Sequence, residues 1–124
     1  MSKLLIVDDE IDVREFAKRF FKKRGIDVSI ASGGDEALNI IGRHRPDLVL
    51  LDIQMEGLSG MEVLRKLREE KNDIKVIMVT GAEDPSIIDE ANNLGVKGYI
   101  HKPLILEELE KIVMKELKIS VHAN

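Results

Sequence analysis

Cysteine and tryptophan are absent from this chain of 124 residues, and aromatic residues make up only 3% of it. Without cysteine the chain forms no disulfide and offers no thiolate to a metal, which fits a reducing compartment and leads us to expect a cytoplasmic protein. Its apolar runs are far shorter than the roughly 20 residues of a membrane span. The first of them, residues 4–7, meets Asp8 at once and does not form a signal peptide. The net charge of −4 gives no general reason to expect nucleic-acid or membrane binding.

The residues that are present describe a globular domain: 44% are hydrophobic and 34% are charged. The length suits a single domain over 1–124, with a core at about 3–118 and a short C-terminal tail at 119–124. Continuous apolar runs at 4–7, 48–51 and 76–79 predict strands that are covered on both faces. Alternating apolar residues at 27–31 and 96–100 predict half-buried edge strands.

A helical pattern of apolar residues follows each of these strands, at 13–21, 37–41, 60–67, 85–94 and 106–117. Gly25 is placed to end the first helix, and Ser32 is predicted to cap the second. Alternation of five strands with five helices predicts an α/β fold, a doubly wound parallel sheet with helices on both faces. The pattern predicts that strands one, three and four are buried and that strands two and five are edges. The flavodoxin-like strand order 2-1-3-4-5 satisfies this.

Polar residues follow the predicted strands and should share one edge of the sheet. They are Asp8 and Asp9 after the first strand, Asp52 after the third, Thr80 after the fourth and Lys102 after the fifth. At ~4 Å and an effective dielectric near 20, each pair of like charges would cost on the order of 4 kcal/mol, so either the pKa values of the carboxylates rise or a cation joins them. An all-oxygen site suits Mg²⁺ better than zinc. Such a site could accept a phosphoryl group, with a carboxylate as the nucleophile.

These residues give the chain a close resemblance to the receiver domain of two-component response regulators, of the chemotaxis-regulator kind. The resemblance spans about residues 3–117 and rests on the following positions: Asp8-Asp9, Asp52, Gly60, Thr80-Gly81, Tyr99 and Lys102-Pro103. The chain departs from the family at Glu56, where receivers often carry proline four residues after the phosphoacceptor.

The resemblance implies a role for each residue of the acidic cluster. Asp52 would be the phosphoacceptor, and Lys102 would pair with a phosphoryl oxygen. Mg²⁺ would be bound by Asp9 directly, by Asp8 mainly through water, and by Asp52 and the backbone carbonyl of Gln54.

The resemblance also implies a switch. Thr80 would donate its hydroxyl to the phosphoryl group, and its movement would let Tyr99 rotate inward. A cis peptide bond is expected at Lys102-Pro103. The output surface would then be the face made by the fourth helix, the fifth strand and the fifth helix.

The function implied is that of a phosphoacceptor switch in a two-component phosphorelay, which catalyses only its own phosphorylation and dephosphorylation. The phosphoryl donor would be a sensor histidine kinase or a histidine phosphotransfer protein, and the output partner is unknown. We expect a monomer or a phosphorylation-dependent dimer, with no direct binding to nucleic acid. The chain could be a stand-alone regulator, a relay intermediate or a receiver cut from a longer protein.

Two other functions compete with this one. A haloacid dehalogenase-like phosphatase would carry Asp-x-Asp-x-Thr after the first strand, but the corresponding residues here are Asp8, Glu10 and Asp12. The second alternative is a binding module with a vestigial site, which the complete acidic set and Lys102 argue against.

Overall fold

A parallel β-sheet with helices on both faces organises the chain, as shown by a computed structural model that describes residues 2–81 and 84–119. Within these residues the sheet has five strands in the order β2-β1-β3-β4-β5, which confirms the predicted fold class. The strands are β1 Lys3–Val7, β2 Asp27–Ala31, β3 Leu48–Asp52, β4 Lys75–Thr80 and β5 Gly98–His101. The helices are α1 Ile11–Lys22, α2 Gly34–His44, α3 Gly60–Glu69, α4 Pro85–Asn93 and α5 Leu106–Glu116. The predicted tail lies outside the described residues from position 120 onward.

The unbroken apolar runs are explained by two hydrophobic clusters, one on each face of the sheet. Alternate residues of the central strands, such as Leu5 and Leu51, pack with α2, α3 and α4 on one face. The residues between them, such as Leu4 and Leu50, pack with α1 and α5 on the other. A strand that is covered on both faces needs apolar residues at every position. No helix in the described part of the chain is long and apolar enough to cross a membrane.

Two local predictions were wrong. Ser32 does not cap α2, which begins at Gly34 with Gly33 as its N-cap, and the Ser32 amide instead donates to Glu36 Oε1 at 2.7 Å. The fifth strand begins at Gly98 rather than at residue 96. The amide of Val96 is used to end α4, where it donates to the Ala91 carbonyl.

Two glycines follow the ends of helices, the first of them at the predicted position, and both adopt a positive φ that favours glycine. Gly25, with φ +80°, follows α1, and Gly95, with φ +76°, follows α4. After each turn the chain enters the next strand at the amino end of the sheet, opposite the carboxyl edge.

Candidate functional site

Buried polar side chains gather at the carboxyl edge of the sheet. Asp8, Asp52 and Thr80 are 2%, 1% and 3% exposed, and they are the only fully buried polar or charged residues in the described part of the chain. They lie at or just after the ends of the neighbouring strands β1, β3 and β4. The sequence predicted this convergence, and the structure brings these residues together.

Lys102 joins the two buried carboxylates. Its Nζ lies 3.0 Å from Asp52 Oδ2, 3.2 Å from Asp8 Oδ2 and 3.3 Å from Glu10 Oε1. The backbone of Lys102 is fixed by its amide, which donates to the Thr80 carbonyl at 2.8 Å. The following peptide bond, Lys102-Pro103, is cis, as the resemblance implied.

Backbone amides hold the other oxygen of each buried carboxylate. The amide of Glu10 donates to Asp8 Oδ1 at 2.9 Å, and that of Gln54 donates to Asp52 Oδ1 at 3.2 Å. In both cases the donor lies two residues after the aspartate, which is the spacing of an Asx-turn. Each aspartate is therefore oriented by its own loop and keeps its second oxygen for Lys102.

One lysine does not neutralise two buried carboxylates. Burial raises the pKa of Asp52, the charge of Asp8 adds to the rise, and the hydrogen bond from Lys102 opposes it without cancelling it. Burial disfavours the charge on Lys102, but the hydrogen bonds and charges of Asp52 and Asp8 outweigh burial and hold the pKa of Lys102 above its ordinary value. Lys102 therefore stays protonated, but its one positive charge does not fully offset the negative charge of Asp52.

Further carboxylates could supply ligands to a cation beside Asp8. Asp8, Asp9 and Glu10 each place one carboxylate oxygen within 4.8 Å of the others, with Asp9 and Glu10 exposed. Asp9 and Gln54 also line one cleft that runs between the β3–α3 loop and α4. The donors are hard oxygens, which suit Mg²⁺. Sequence reasoning missed Glu10 as a member of this cluster, although it directly follows Asp9.

The two predicted switch residues lie on adjacent strands. Thr80 ends β4 opposite His101, and Tyr99 lies two residues earlier on β5, opposite Met78. Tyr99 is half-buried, and its hydroxyl donates to the Ile88 carbonyl of α4 at 3.0 Å. Burial raises the pKa of Tyr99, and the charge of Asp89 adds to this rise. Tyr99 therefore connects the edge strand to α4.

Gly60 allows α3 to begin against the backbone of Asp52. A Cβ at this position would lie 2.2 Å from the Asp52 carbonyl oxygen and 2.9 Å from its carbonyl carbon. The Gly60 amide also donates to the Ile53 carbonyl at 3.0 Å. Only glycine fits this close approach, which holds the end of β3 in place.

Comparison with known proteins identifies the family. The family model of the response regulator receiver domain matches residues 4–114. The chain belongs to the response regulator receiver domain family. This receiver domain is 35% identical over 118 residues to sporulation initiation phosphotransferase F of Bacillus subtilis (strain 168), covering 95% of each protein. It is 38% identical over 107 residues to the response regulator MprA of Mycobacterium sp. (strain KMS), covering 86% of this chain but only 46% of MprA.

Solved receiver structures have the same fold. A CheY-like receiver domain protein from Methanospirillum hungatei superposes with a TM-score of 0.89 at 30% identity, covering 95% of this chain and 94% of that one. The response regulator TrrA of Thermotoga maritima, solved in complex with Mg²⁺-BeF, gives a TM-score of 0.81 at 34% identity, with 94% and 99% coverage.

The departure at Glu56 lies on the surface of this receiver domain. Glu56 is exposed in the loop between β3 and α3. The next residue, Gly57, adopts φ +77°, so glycine supplies the turn in this loop. The contacts of Asp52 with Gln54 and Lys102 are formed with glutamate at this position.

Proposed function

We propose that this receiver domain is a phosphoacceptor switch in which Asp52 takes a phosphoryl group from a phosphohistidine. The observation that carries the proposal is the position of Lys102 Nζ between two buried carboxylates, Asp52 and Asp8. A buried aspartate paired with a lysine at the open edge of a sheet is arranged for chemistry on an anionic group. The donor would be a sensor histidine kinase or a histidine phosphotransfer protein. The cytoplasmic setting expected from the absence of cysteine belongs to the same proposal.

The transfer forms one bond and breaks another. A carboxylate oxygen of Asp52 attacks phosphorus, the bond between phosphorus and the donor imidazole nitrogen breaks, and its electron pair stays on that nitrogen. The imidazole leaves neutral because its other ring nitrogen carries a proton. Lys102 lies where its ammonium would neutralise charge on the transferring oxygens, and its raised pKa keeps it protonated.

The residues present fit a bound Mg²⁺. We assign its ligands to Asp8, Asp9, Asp52 and the backbone carbonyl of Gln54, with Glu10 at the rim of the site. When bound, the ion would neutralise the phosphoryl oxygens as a Lewis acid. Support comes from the clustered carboxylate oxygens and from the charge that Lys102 leaves uncompensated on Asp52. Mg²⁺ is also present in the TrrA complex.

Thr80 and Tyr99 would transmit the effect of phosphorylation from Asp52 to the surface of the domain. A phosphoryl group on Asp52 would add acceptor oxygens near the buried end of β4, and Thr80 would move toward them to donate its hydroxyl. A charge-assisted hydrogen bond contributes on the order of 1.5–3 kcal/mol, enough to shift a two-state equilibrium tenfold or more. Tyr99 would follow by turning inward, and the surface of α4, β5 and α5 would change for the output partner.

The donor protein would approach along α1. A groove beside Lys102 is lined by Val13, Phe16, Pro103 and Leu104, and Phe16 is 48% exposed. Ile11 and Ile105, which neighbour residues of this groove in the chain, are exposed as well. An apolar rim around a charged site suits a protein donor whose histidine must reach Asp52.

The acceptor is tested with acetyl phosphate and Mg²⁺, followed by intact-mass measurement. Wild type should gain one phosphoryl group, and Asp52→Asn should gain none. Asp12→Asn, which removes an exposed carboxylate near the site, is the matched control and should be labelled normally. Equal labelling of Asp52→Asn and wild type would show that Asp52 is not the acceptor. Turnover of a generic phosphomonoester would instead favour the phosphatase alternative.

A further inference from the structure

The fourth helix has little apolar anchorage. Of the residues of α4, only Ala91 is fully buried, whereas α3 buries five residues, from Gly60 to Leu67. Ile87 and Leu94 are partly buried against the same cluster. Helices held by few buried contacts open or shift at low free-energy cost. The position of α4 therefore depends on other contacts.

Polar side chains hold α4 from both sides. From α3, Arg65 forms a two-pronged contact with Glu90, with Nε 2.5 Å from Oε2 and Nη2 2.7 Å from Oε1. From β5, the Tyr99 hydroxyl donates to the Ile88 carbonyl. Helix α4 thus lies between an ion pair on one flank and the proposed switch residue on the other.

A third contact connects the C-terminal end of α4 to the backbone between α3 and β4. Arg68 Nε donates to the Leu94 carbonyl at 2.6 Å, and its Nη1 donates to the carbonyls of Asn72 and Ile74. The carbonyl of Leu94 follows the last turn of α4, so Arg68 holds that end of the helix. Toward the end nearer Thr80, the described residues contribute the Tyr99 contact, the partly buried Ile87 and, further along the helix, the ion pair.

The ion pair can separate without leaving a charge buried. The side chains of Arg65 and Glu90 are 46% and 38% exposed, so water can solvate either partner. The pKa of Glu90 is lowered and that of Arg65 is raised, in both cases first by their hydrogen bond, so both groups are charged at neutral pH. If an exposed ion pair of this kind forms in only one of two conformers, it shifts the equilibrium between them by up to about fivefold.

We propose that the Arg65–Glu90 ion pair is a latch that holds α4 against α3 in the unphosphorylated domain and sets how readily the output surface rearranges. The inference rests on the proposed function, because it assumes that α4 belongs to the surface that changes. Inward movement of Tyr99 would release one flank of α4, and the ion pair would resist the movement from the other flank. Loss of the pair should raise the population of the active conformer before phosphorylation.

The test is a titration with beryllofluoride, a phosphoryl mimic, in the presence of Mg²⁺, followed by NMR of the α4 amides. Arg65→Gln and Glu90→Gln should each move the α4 resonances of the free protein toward their beryllofluoride-bound positions. Each should also lower the apparent Kd for beryllofluoride, by up to about fivefold, since the ligand then finds more of the competent state. The charge-swapped double variant Arg65→Glu/Glu90→Arg should return both values toward wild type.

The matched control is Lys66→Gln, which removes the same charge from the neighbouring exposed position of α3 and should leave both values unchanged. A Kd and α4 shifts that stay at wild-type values in Arg65→Gln and Glu90→Gln would overturn the latch while leaving the proposed function intact. A result in which Lys66→Gln acts as strongly as Arg65→Gln would also overturn it, because net charge would then be the cause. If beryllofluoride moves no α4 resonance in wild type, both the proposed switch and the latch are wrong.

Discussion

Replacement of Gly60 by alanine should damage stability and phosphorylation together. The added Cβ would lie 2.9 Å from the Asp52 carbonyl carbon, where carbon atoms in contact normally keep about 3.5–4.0 Å, and 2.2 Å from the carbonyl oxygen. The atoms that must yield belong to backbone at the end of β3 and not to a flexible side chain. Relief therefore requires α3 to move away from the sheet or the backbone of Asp52 and Ile53 to move, which would disturb the placement of the Asp52 side chain.

The size of the effect follows from this overlap. Overpacking of a well-packed site costs about 1–3 kcal/mol, and we expect the upper end because the neighbour is backbone. For a domain of this size, 3 kcal/mol lowers the Tm by roughly 10 °C. Gly42→Ala in α2 is the matched control, because a Cβ there meets nothing within 4 Å. That substitution should stabilise the domain by about 0.5–1 kcal/mol through helix propensity.

Thermal unfolding followed by circular dichroism would measure both changes, and acetyl phosphate labelling at a temperature where each variant is folded would measure the effect on Asp52. We expect Gly60→Ala to unfold earlier and to be labelled more slowly, and Gly42→Ala to unfold later with normal labelling. If Gly60→Ala keeps the wild-type Tm and labelling rate, the loop after β3 relaxes freely. The close contact would then have no part in positioning Asp52.

Three further predictions concern the acidic cluster and its rim. Asp9→Ala should weaken Mg²⁺ binding sharply in a titration, while Asp12→Ala should not, and equal affinities would remove Asp9 from the ligand set. Because burial and the charge of Asp8 raise the pKa of Asp52 in the fold, ionised Asp52 destabilises the folded state, and this cost appears as pH rises above the ordinary value near 3.8. Asp52→Asn should therefore raise the Tm in metal-free buffer at pH 7, and the gain should vanish as pH falls toward 4; a lower Tm at pH 7 would contradict this. Phe16→Ala should slow transfer from a phosphohistidine protein but not from acetyl phosphate, and equal slowing of both would show that the groove does not serve donor docking.

The sheet was predictable from the sequence because hydrophobic pattern and strand position are physically linked. Central strands are covered on both faces and must be apolar at every residue, as residues 48–51 are, whereas edge strands alternate. The helix and strand ends were less predictable where a residue serves two elements. Val96 has the pattern of a strand residue, but its amide closes α4. Ser32 has the chemistry of a cap, but helix α2 begins after it at Gly34, where a Cβ would lie 2.8 Å from Leu58.

The gathering of the site residues was predictable for a different reason: parallel strands bring their carboxyl ends to one edge whatever their order in the chain. The contacts of exposed side chains were not predictable in this way. The contact of Glu10 with Lys102 and that of Arg65 with Glu90 depend on rotamers and on helix spacing, which leave no periodic signal in the sequence. Arg65 and Glu90 are 25 residues apart and look like ordinary solvated charges in the chain.

Two features of the described residues that favour folding weakly lie close together in the sequence and the sheet. Asp52 and Asp8 are buried with a single lysine between them, and α4, which follows Thr80 in the chain, has one fully buried residue. A ligand that adds positive charge to the first feature binds the folded state and stabilises it by mass action. In the proposed switch, a phosphoryl group that draws Thr80 would act on the second, where the polar contacts that hold α4 are a tyrosine hydroxyl, an exposed ion pair and the hydrogen bond from Arg68 to Leu94. Under the proposed mechanism the free energy of one charge-assisted hydrogen bond would be enough to shift α4, because these contacts are individually weak. A more deeply packed fourth helix would be stabler, but the same chemistry at Asp52 would then leave the surface unchanged.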